Sequence, residues 1–493
     1  MAKVNLDTLK SHLWGSANIL RGSIDAADYK NYIFGMLFLK RLSDVFDEER
    51  DRLKNENYVD LNDPDNYSFN VPERARWSHL KTLTQDLGTA INTANDALEE
   101  SNPETLEGVL STVDFNDKDR LPDATLSALI AHFSKVPLAN RDLENPDILG
   151  DAYEYLIGQF AGDAGKKGGE FYTPKEVVTL LVEILDPHEK MRICDPACGS
   201  GGMLVQSVYH LRDIGQNPRN ISLFGQERNI GTWAICKMNM LLHGLSSAGL
   251  EKGDTLRSPR LIGEDGKLMD FDIVIANPPF SLKNWGYEEA QHDPYRRFRF
   301  GIPPKGYGDY AFVQHMIATV NPRGRVGVVL PHGVLFRGGA EGRIRKGIVE
   351  EDLLEAVIGL PSNLFFGAGI PACLFIVNKS KLPERRGKVF FLYGANDYLE
   401  GKNQNKLRQQ DIEKIVDAYR GYRTLEKYCR PVSMDEIRAN EYNLNITRYI
   451  DIAEDEESID VQEVVDQLKE LKKERDGVEE KMNLYLKELG FTV

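Results

Sequence analysis

Apolar residues recur with two periods in this chain, and the changes of period divide it. From about Leu6 to about Pro146, Leu13, Ile19, Leu20, Ile33, Leu37 and Leu42 recur near helical spacing. That pattern predicts an α-helical domain over residues 1–147, with loops where Pro, Asn and Asp gather at 62–66 and 116–119. Trp14 and Phe34 are expected in its core rather than stacked on bases. From Lys175 to about Asp397, short strand-like runs alternate with helical ones. The runs centre on Ile193, Leu223, Ile273, 326–330, 354–359, 372–377 and 389–393. Alternation of this kind predicts an α/β fold, a mostly parallel seven-stranded sheet flanked by helices, over residues 148–450. The last two runs have no full helix between them, which predicts an antiparallel end hairpin. Past Val461, Val464, Leu468, Leu471, Val478, Met482, Tyr485 and Leu489 alternate spacings of four and three, with Arg475 at the skipped seam position. This coiled-coil-like stripe over 451–493 is short, so it packs either on a partner helix or on its own chain.

The candidate chemistry lies where predicted strands end. The run 271–276 reads as a buried parallel strand and closes on Asn277-Pro278-Pro279-Phe280. Open α/β sheets bind ligands at that carboxyl edge. One amide, a carbonyl and a flat ring suit one task, gripping a planar exocyclic amine. Asn277 Oδ1 and the Pro278 carbonyl can accept its two N–H groups, and Phe280 can stack on its ring. Upstream, a strand ending at Asp195 runs into Pro196-Ala197-Cys198-Gly199-Ser200-Gly201-Gly202, with a helix expected from Met203. Glycines at a strand-to-helix turn let a ligand approach the backbone closely, though such a loop is also read as a tight turn alone. A strand at 221–226 ends in Glu227, an acid placed to hold ribose hydroxyls. Asp254 precedes the strand that delivers Asn277 and could accept from an adenine amine. Either acid also reads as a helix cap or an ion-pair partner.

Taken in order, the Asp-Pro-Ala-Cys-Gly-Ser-Gly loop, the two acids and Asn-Pro-Pro-Phe resemble the S-adenosylmethionine-dependent amino-methyltransferases that make N6-methyladenine in DNA. Further segments match in order: Gly169-Glu170-Phe171-Tyr172-Thr173-Pro174, 309–313, 324–331 and 360–366. With them, nearly the whole chain resembles the modification subunit of type I restriction–modification systems. The resemblance implies a Rossmann-like methyltransferase fold and S-adenosylmethionine as cofactor. It implies that Phe171, Tyr172, Thr173 or Pro174 touches the cofactor's methionine end. Asp195, Ala197, Gly199, Ser200, Gly201 and Gly202 would hold the methionine moiety, Glu227 the ribose and Asp254 the adenine. Phe365 or Phe366 would face the target base opposite Phe280, or pack in the core. The implied partners are double-stranded DNA, a specificity subunit shared by two such chains, and a restriction endonuclease/translocase subunit as a further candidate. In that setting the tail meets the specificity subunit.

Charge refines this picture. With 61 Lys and Arg against 76 Asp and Glu, the net charge of −15 repels a duplex at long range. Basic residues are therefore concentrated locally, or a partner supplies most of the DNA affinity. Arg296, Arg297, Arg299 and Lys305, in the polar loop after Phe280, are the local candidates; a solvated charged face is the plain alternative. Arg337, Arg343, Arg345 and Lys346 form a second group. His332 is expected to be structural. Five scattered cysteines form no metal-like spacing, so no metal is expected, and they suggest a reducing compartment, hence the cytoplasm. No apolar run is long enough to span a bilayer. Three rival readings remain: a protein-glutamine methyltransferase, since that amide presents the same planar NH₂, a stand-alone DNA adenine methyltransferase, and a non-catalytic DNA-binding scaffold.

Overall fold

The structure, a computed structural model, describes residues 3–24, 28–54, 60–145, 147–164, 172–365, 369–402, 404–452 and 461–491. Residues Met1–Ile450 form one compact unit and Asp451–Val493 a second.

The front of the chain is helical because its apolar residues fall on helix faces. Asn5 starts the Leu6–Leu20 helix by accepting from the Thr8 N–H. The helices Tyr29–Leu53, Leu87–Ser101 and Asp123–Phe133 follow. Ile33, Phe34 and Leu37 are fully buried, and each such side chain contributes about 1.5–3 kcal/mol. Trp14 stacks on Phe160 with ring centroids 5.8 Å apart, so both aromatics singled out in the sequence serve packing.

Among the described residues, nine strands form a single sheet in the order β3-β2-β1-β4-β5-β7-β6-β8-β9. They are β1 (Arg192–Asp195), β2 (Ser222–Glu227), β3 (Gly249–Lys252), β4 (Phe271–Ala276), β5 (Val320–Pro331), β6 (Leu354–Gly359), β7 (Ala372–Asn378), β8 (Lys388–Tyr393) and β9 (Cys429–Ser433). The first five pair in parallel. Along β4, Ile273 and Ile275 enter one core while Val274 and Ala276 enter another, the period of two expected of a strand covered on both faces.

Two expectations are corrected. The sheet is mixed and nine-stranded rather than a mostly parallel seven. β3 is four residues with a glycine and two charges, and β9 carries a proline at an edge; neither presents an apolar run. The end hairpin is also differently built. β7 pairs antiparallel with both β5 and β6, and β8 pairs with β6 in parallel instead of with β7.

Strand order positions the site. The chain proceeds outward from β1 through β2 to β3, then returns to lay β4 on the other side of β1. Where the order reverses, at the carboxyl ends of β1 and β4, a crevice opens. Cys194 pairs with Val274 across this switch point, so Asp195 and Asn277 follow at the same edge.

Candidate active site at the β1–β4 switch point

A cleft lies there, lined by Tyr172, Thr173, Asp195, Ala197, Gly199, Ser200, Gly202 and Asn277, with Glu154 and Met203 among its walls. A wider cavity shares Tyr172, Thr173 and Gly202 with it and adds Pro174 and Leu364. Phe171 and Phe366 lie outside the described residues.

The amide of Asn277 meets the Thr173 hydroxyl. Its Nδ2 donates to Thr173 Oγ1 at 2.9 Å. Its Oδ1 is buried and has no hydrogen-bond partner among the described residues. A buried orphan acceptor costs about 1–3 kcal/mol, so it marks a place for a donor from outside the chain. The Pro278 carbonyl accepts no backbone hydrogen bond among the described residues. Phe280 is half-buried, and the Phe365 ring meets it edge-on with centroids 5.7 Å apart. Phe365 is itself buried in the core, so it backs Phe280 instead of facing it.

The turn after Phe280 is fixed by a residue whose role the sequence did not reveal. Asp309 Oδ1 accepts from the Ser281 N–H at 2.9 Å, and its Oδ2 accepts from Arg337 at 3.0 Å. Arg337 also binds Glu341. Its place at the head of the matched segment 309–313 marked Asp309, but not what it would bind.

The glycine loop is equally anchored. Asp195 is 2% exposed, and its Oδ1 accepts from the Ala197 N–H at 3.0 Å. Burial, aided by the charge of Glu227, pushes its carboxyl up to about 8. Such a carboxylate fits a cationic ligand group, which would restore the solvation that burial removed. Glu227, at the end of β2, accepts from the Gly199 N–H at 3.0 Å and the Asn229 N–H at 2.7 Å. Burial raises its pKa too. Gly201 has φ of +84°, and a Cβ there would stand 2.9 Å from Cys236 Sγ. Asp254 stands at the end of β3, outside the cleft lining; its Oδ1 accepts from the Leu256 and Arg257 N–H groups and its Oδ2 is 3.5 Å from Arg228. That is the cap and ion-pair role.

The basic loop divides. Arg296 is exposed. Arg299 pairs with Glu351, and Lys305 with Glu288, both on the surface. Arg297 is a correction. It is 4% exposed, bound to Asp293, and donates to the Thr255 and Leu256 carbonyls. Its guanidinium is consumed inside the fold and cannot meet DNA. Arg345 is likewise buried, donating to the Val334 and Arg337 carbonyls. His332 is neutral-leaning through burial.

Comparisons with known proteins agree with this geometry. A family described as N-6 DNA Methylase matches residues 144–458, and one described as HsdM N-terminal domain matches residues 9–133. The chain is 35% identical to the type I restriction enzyme MjaVIII methylase subunit of Methanocaldococcus jannaschii, over 99% of this chain and 86% of that one. It is 34% identical to the HindI methylase subunit of Haemophilus influenzae, over 78% and 91%. Among solved structures, the type I restriction-modification methyltransferase subunit of Streptococcus thermophilus superposes with a TM-score of 0.80 at 33% identity, covering 90% of this chain and all of that one. With a cleft built on Asn277 and the glycine loop, and relatives matched along almost its full length, the chain belongs to the N-6 DNA methylase family, and within it to the methylase subunits of type I restriction enzymes.

Proposed function

We propose that this chain, an adenine-specific DNA methyltransferase by family, methylates N6 of an adenine swung out of double-stranded DNA, using the cleft between the glycine loop and Asn277. The observation that carries the reading is the buried, unpartnered Oδ1 of Asn277. S-adenosylmethionine, the cofactor this family's chemistry calls for, supplies an electrophilic methyl carbon on a sulfonium. The chain's residues do the rest. An adenine amine is a poor nucleophile because its lone pair is delocalised into the ring. Asn277 Oδ1 and the Pro278 carbonyl, aimed at its two N–H bonds, favour a pyramidal nitrogen and stabilise the positive charge that develops there. Thr173 Oγ1 meets the Nδ2 end of that amide, leaving Oδ1 for the base. No strong general base is needed, since the methylated ammonium loses its proton readily.

Turning the base out costs a few kcal/mol. Phe280, backed by Phe365, offers a stacking face that recovers about 1–3 kcal/mol. Asp195 and the loop N–H groups of 197–202 would hold the methionine moiety, and Glu227 the ribose. Tyr172, Thr173 and Pro174 close the methionine side. Asp254 we place near the adenine only as a support for the β3 turn.

Arg296, Arg299 and Lys305 are exposed cations in the loop after Phe280, and we assign them to phosphate contacts. The surface ion pairs of Arg299 and Lys305 are weak enough to exchange for phosphate. The net negative charge supports a specificity subunit as the main source of DNA affinity, with two such chains per specificity subunit and a restriction subunit as a further partner. The division into 1–147, 148–450 and 451–493 follows these roles, and free, scattered cysteines support a cytoplasmic setting. The test is co-expression with the adjacent specificity subunit, followed by sequencing of the DNA for modified adenines. N6-methyladenine in one sequence context is the expected result. A methyl group found on protein glutamine, with unmarked DNA, would overturn the reading.

A further inference from the structure

A second cluster of donors lies beside the cleft. Asp151 and Glu154 sit three residues apart on the Ile148–Ala164 helix, so they share a face. His243 caps the Ile230–Leu242 helix. One ligand atom from each of the three lies within 4.8 Å of the others.

The histidine points to a ligand. Its Nδ1 lies 2.8 Å from the Asn239 carbonyl oxygen, which can only accept. Nδ1 therefore carries the proton and Nε2 the lone pair. Yet Nε2 is buried without a partner among the described residues, in a side chain 6% exposed. Its ring edge faces the carboxylate-bearing helix: a Cβ on Gly150 would stand 2.3 Å from Nε2. Glycine at 150 is what lets the imidazole reach this helix beside Asp151. A neutral imidazole oriented by a backbone carbonyl, its free nitrogen turned toward two carboxylates, is how metal-ligating histidines are arranged.

We infer that Asp151, Glu154 and His243 form a binding site for one divalent transition-metal ion of the zinc type. The donor set, one imidazole nitrogen and two carboxylates, suits such an ion; magnesium and calcium prefer oxygen alone. The two carboxylates balance its charge. Asp151 Oδ1 accepts from the Tyr209 hydroxyl at 3.1 Å, which steadies that ligand and leaves its other oxygen for the metal. Lys175 Nζ is 3.9 Å from Glu154 Oε2, but its side chain is 57% exposed and can swing into solvent when the ion binds.

The site also leads to the glycine loop. Asn239, whose carbonyl orients His243, donates from Nδ2 to the Ser200 carbonyl at 2.9 Å. Metal at His243 would thus brace Ser200. This consequence rests on the loop being the cofactor site; metal binding itself does not.

The full chain, stripped with a chelator, is titrated with Zn²⁺ by calorimetry and with Co²⁺ by visible absorption. One equivalent per chain is expected, with Co²⁺ showing ligand-field bands. His243→Gln and Asp151→Asn should each weaken Zn²⁺ binding at least about tenfold, while Tyr209→Phe keeps one equivalent. Zinc should raise cofactor affinity in the unaltered chain and leave that of His243→Gln unmoved. Absence of zinc uptake by the folded, unaltered chain would overturn the inference. So would equal uptake by His243→Gln. If one equivalent binds but cofactor affinity does not respond, the metal site stands and the brace falls.

Discussion

Asn277 and Asp195 act through what surrounds them. Asn277 offers a base one acceptor because Thr173 occupies the other end of its amide. Asp195 is held near pKa 8 because it is buried with one N–H partner. Binding a cationic group there releases a proton whenever the pH lies below that value. Cofactor affinity should therefore climb up to about tenfold per pH unit toward pH 8 and then level off. Stability without cofactor should run the other way. The folded state holds a proton that the unfolded carboxyl sheds near pH 4, so stability falls as pH rises through the interval up to about 8. Calorimetric titration from pH 6 to 9 checks the first trend. Asp195→Asn should flatten it, and a slope that survives in that variant would count against the assignment. At this scale the placement of Asn277 and Asp195 at strand ends beside one cleft was legible, because their neighbours in sequence announce a strand end. Asp309 and Thr173 as supports were not, since their partners lie 28 and 104 residues away.

At the level of elements, the central strands were readable because burial on both faces makes them continuously apolar. β3 and β9 were not, because edge strands are short and polar. The insertion of β7 between β5 and β6 could not be read from order along the chain, since pairing is decided in three dimensions. Arg297 shows the same limit: a run of arginines reads as a DNA-facing patch, yet one member is turned inward onto Asp293. The loop between β1 and the Gly202–Asp213 helix carries a sharper demand. At Gly201 a side chain would meet both a left-handed backbone and the Cys236 sulfur. Gly201→Ala should cost about 1–2 kcal/mol for the backbone alone, more with the clash, as read by denaturant unfolding. Cofactor affinity should fall with it. Unchanged stability would mean the loop is looser than this geometry states.

For the molecule as a whole, the tail and the charge balance point to assembly. Val461–Glu488 is one helix, and Leu468, Leu471, Val478 and Met482 are exposed along it. Leu468→Glu with Leu471→Glu should abolish co-purification with the specificity subunit while cofactor binding to the chain stays intact. Retained co-purification would place the partner surface elsewhere. The reaction itself is best measured in that complex, by single-turnover transfer of labelled methyl to duplex DNA. With Asn277→Ala the rate should drop by at least about 10²-fold, the scale of losing one preorganised group at a developing charge, while the cofactor Kd changes little. Transfer at the unaltered rate by Asn277→Ala would contradict the account.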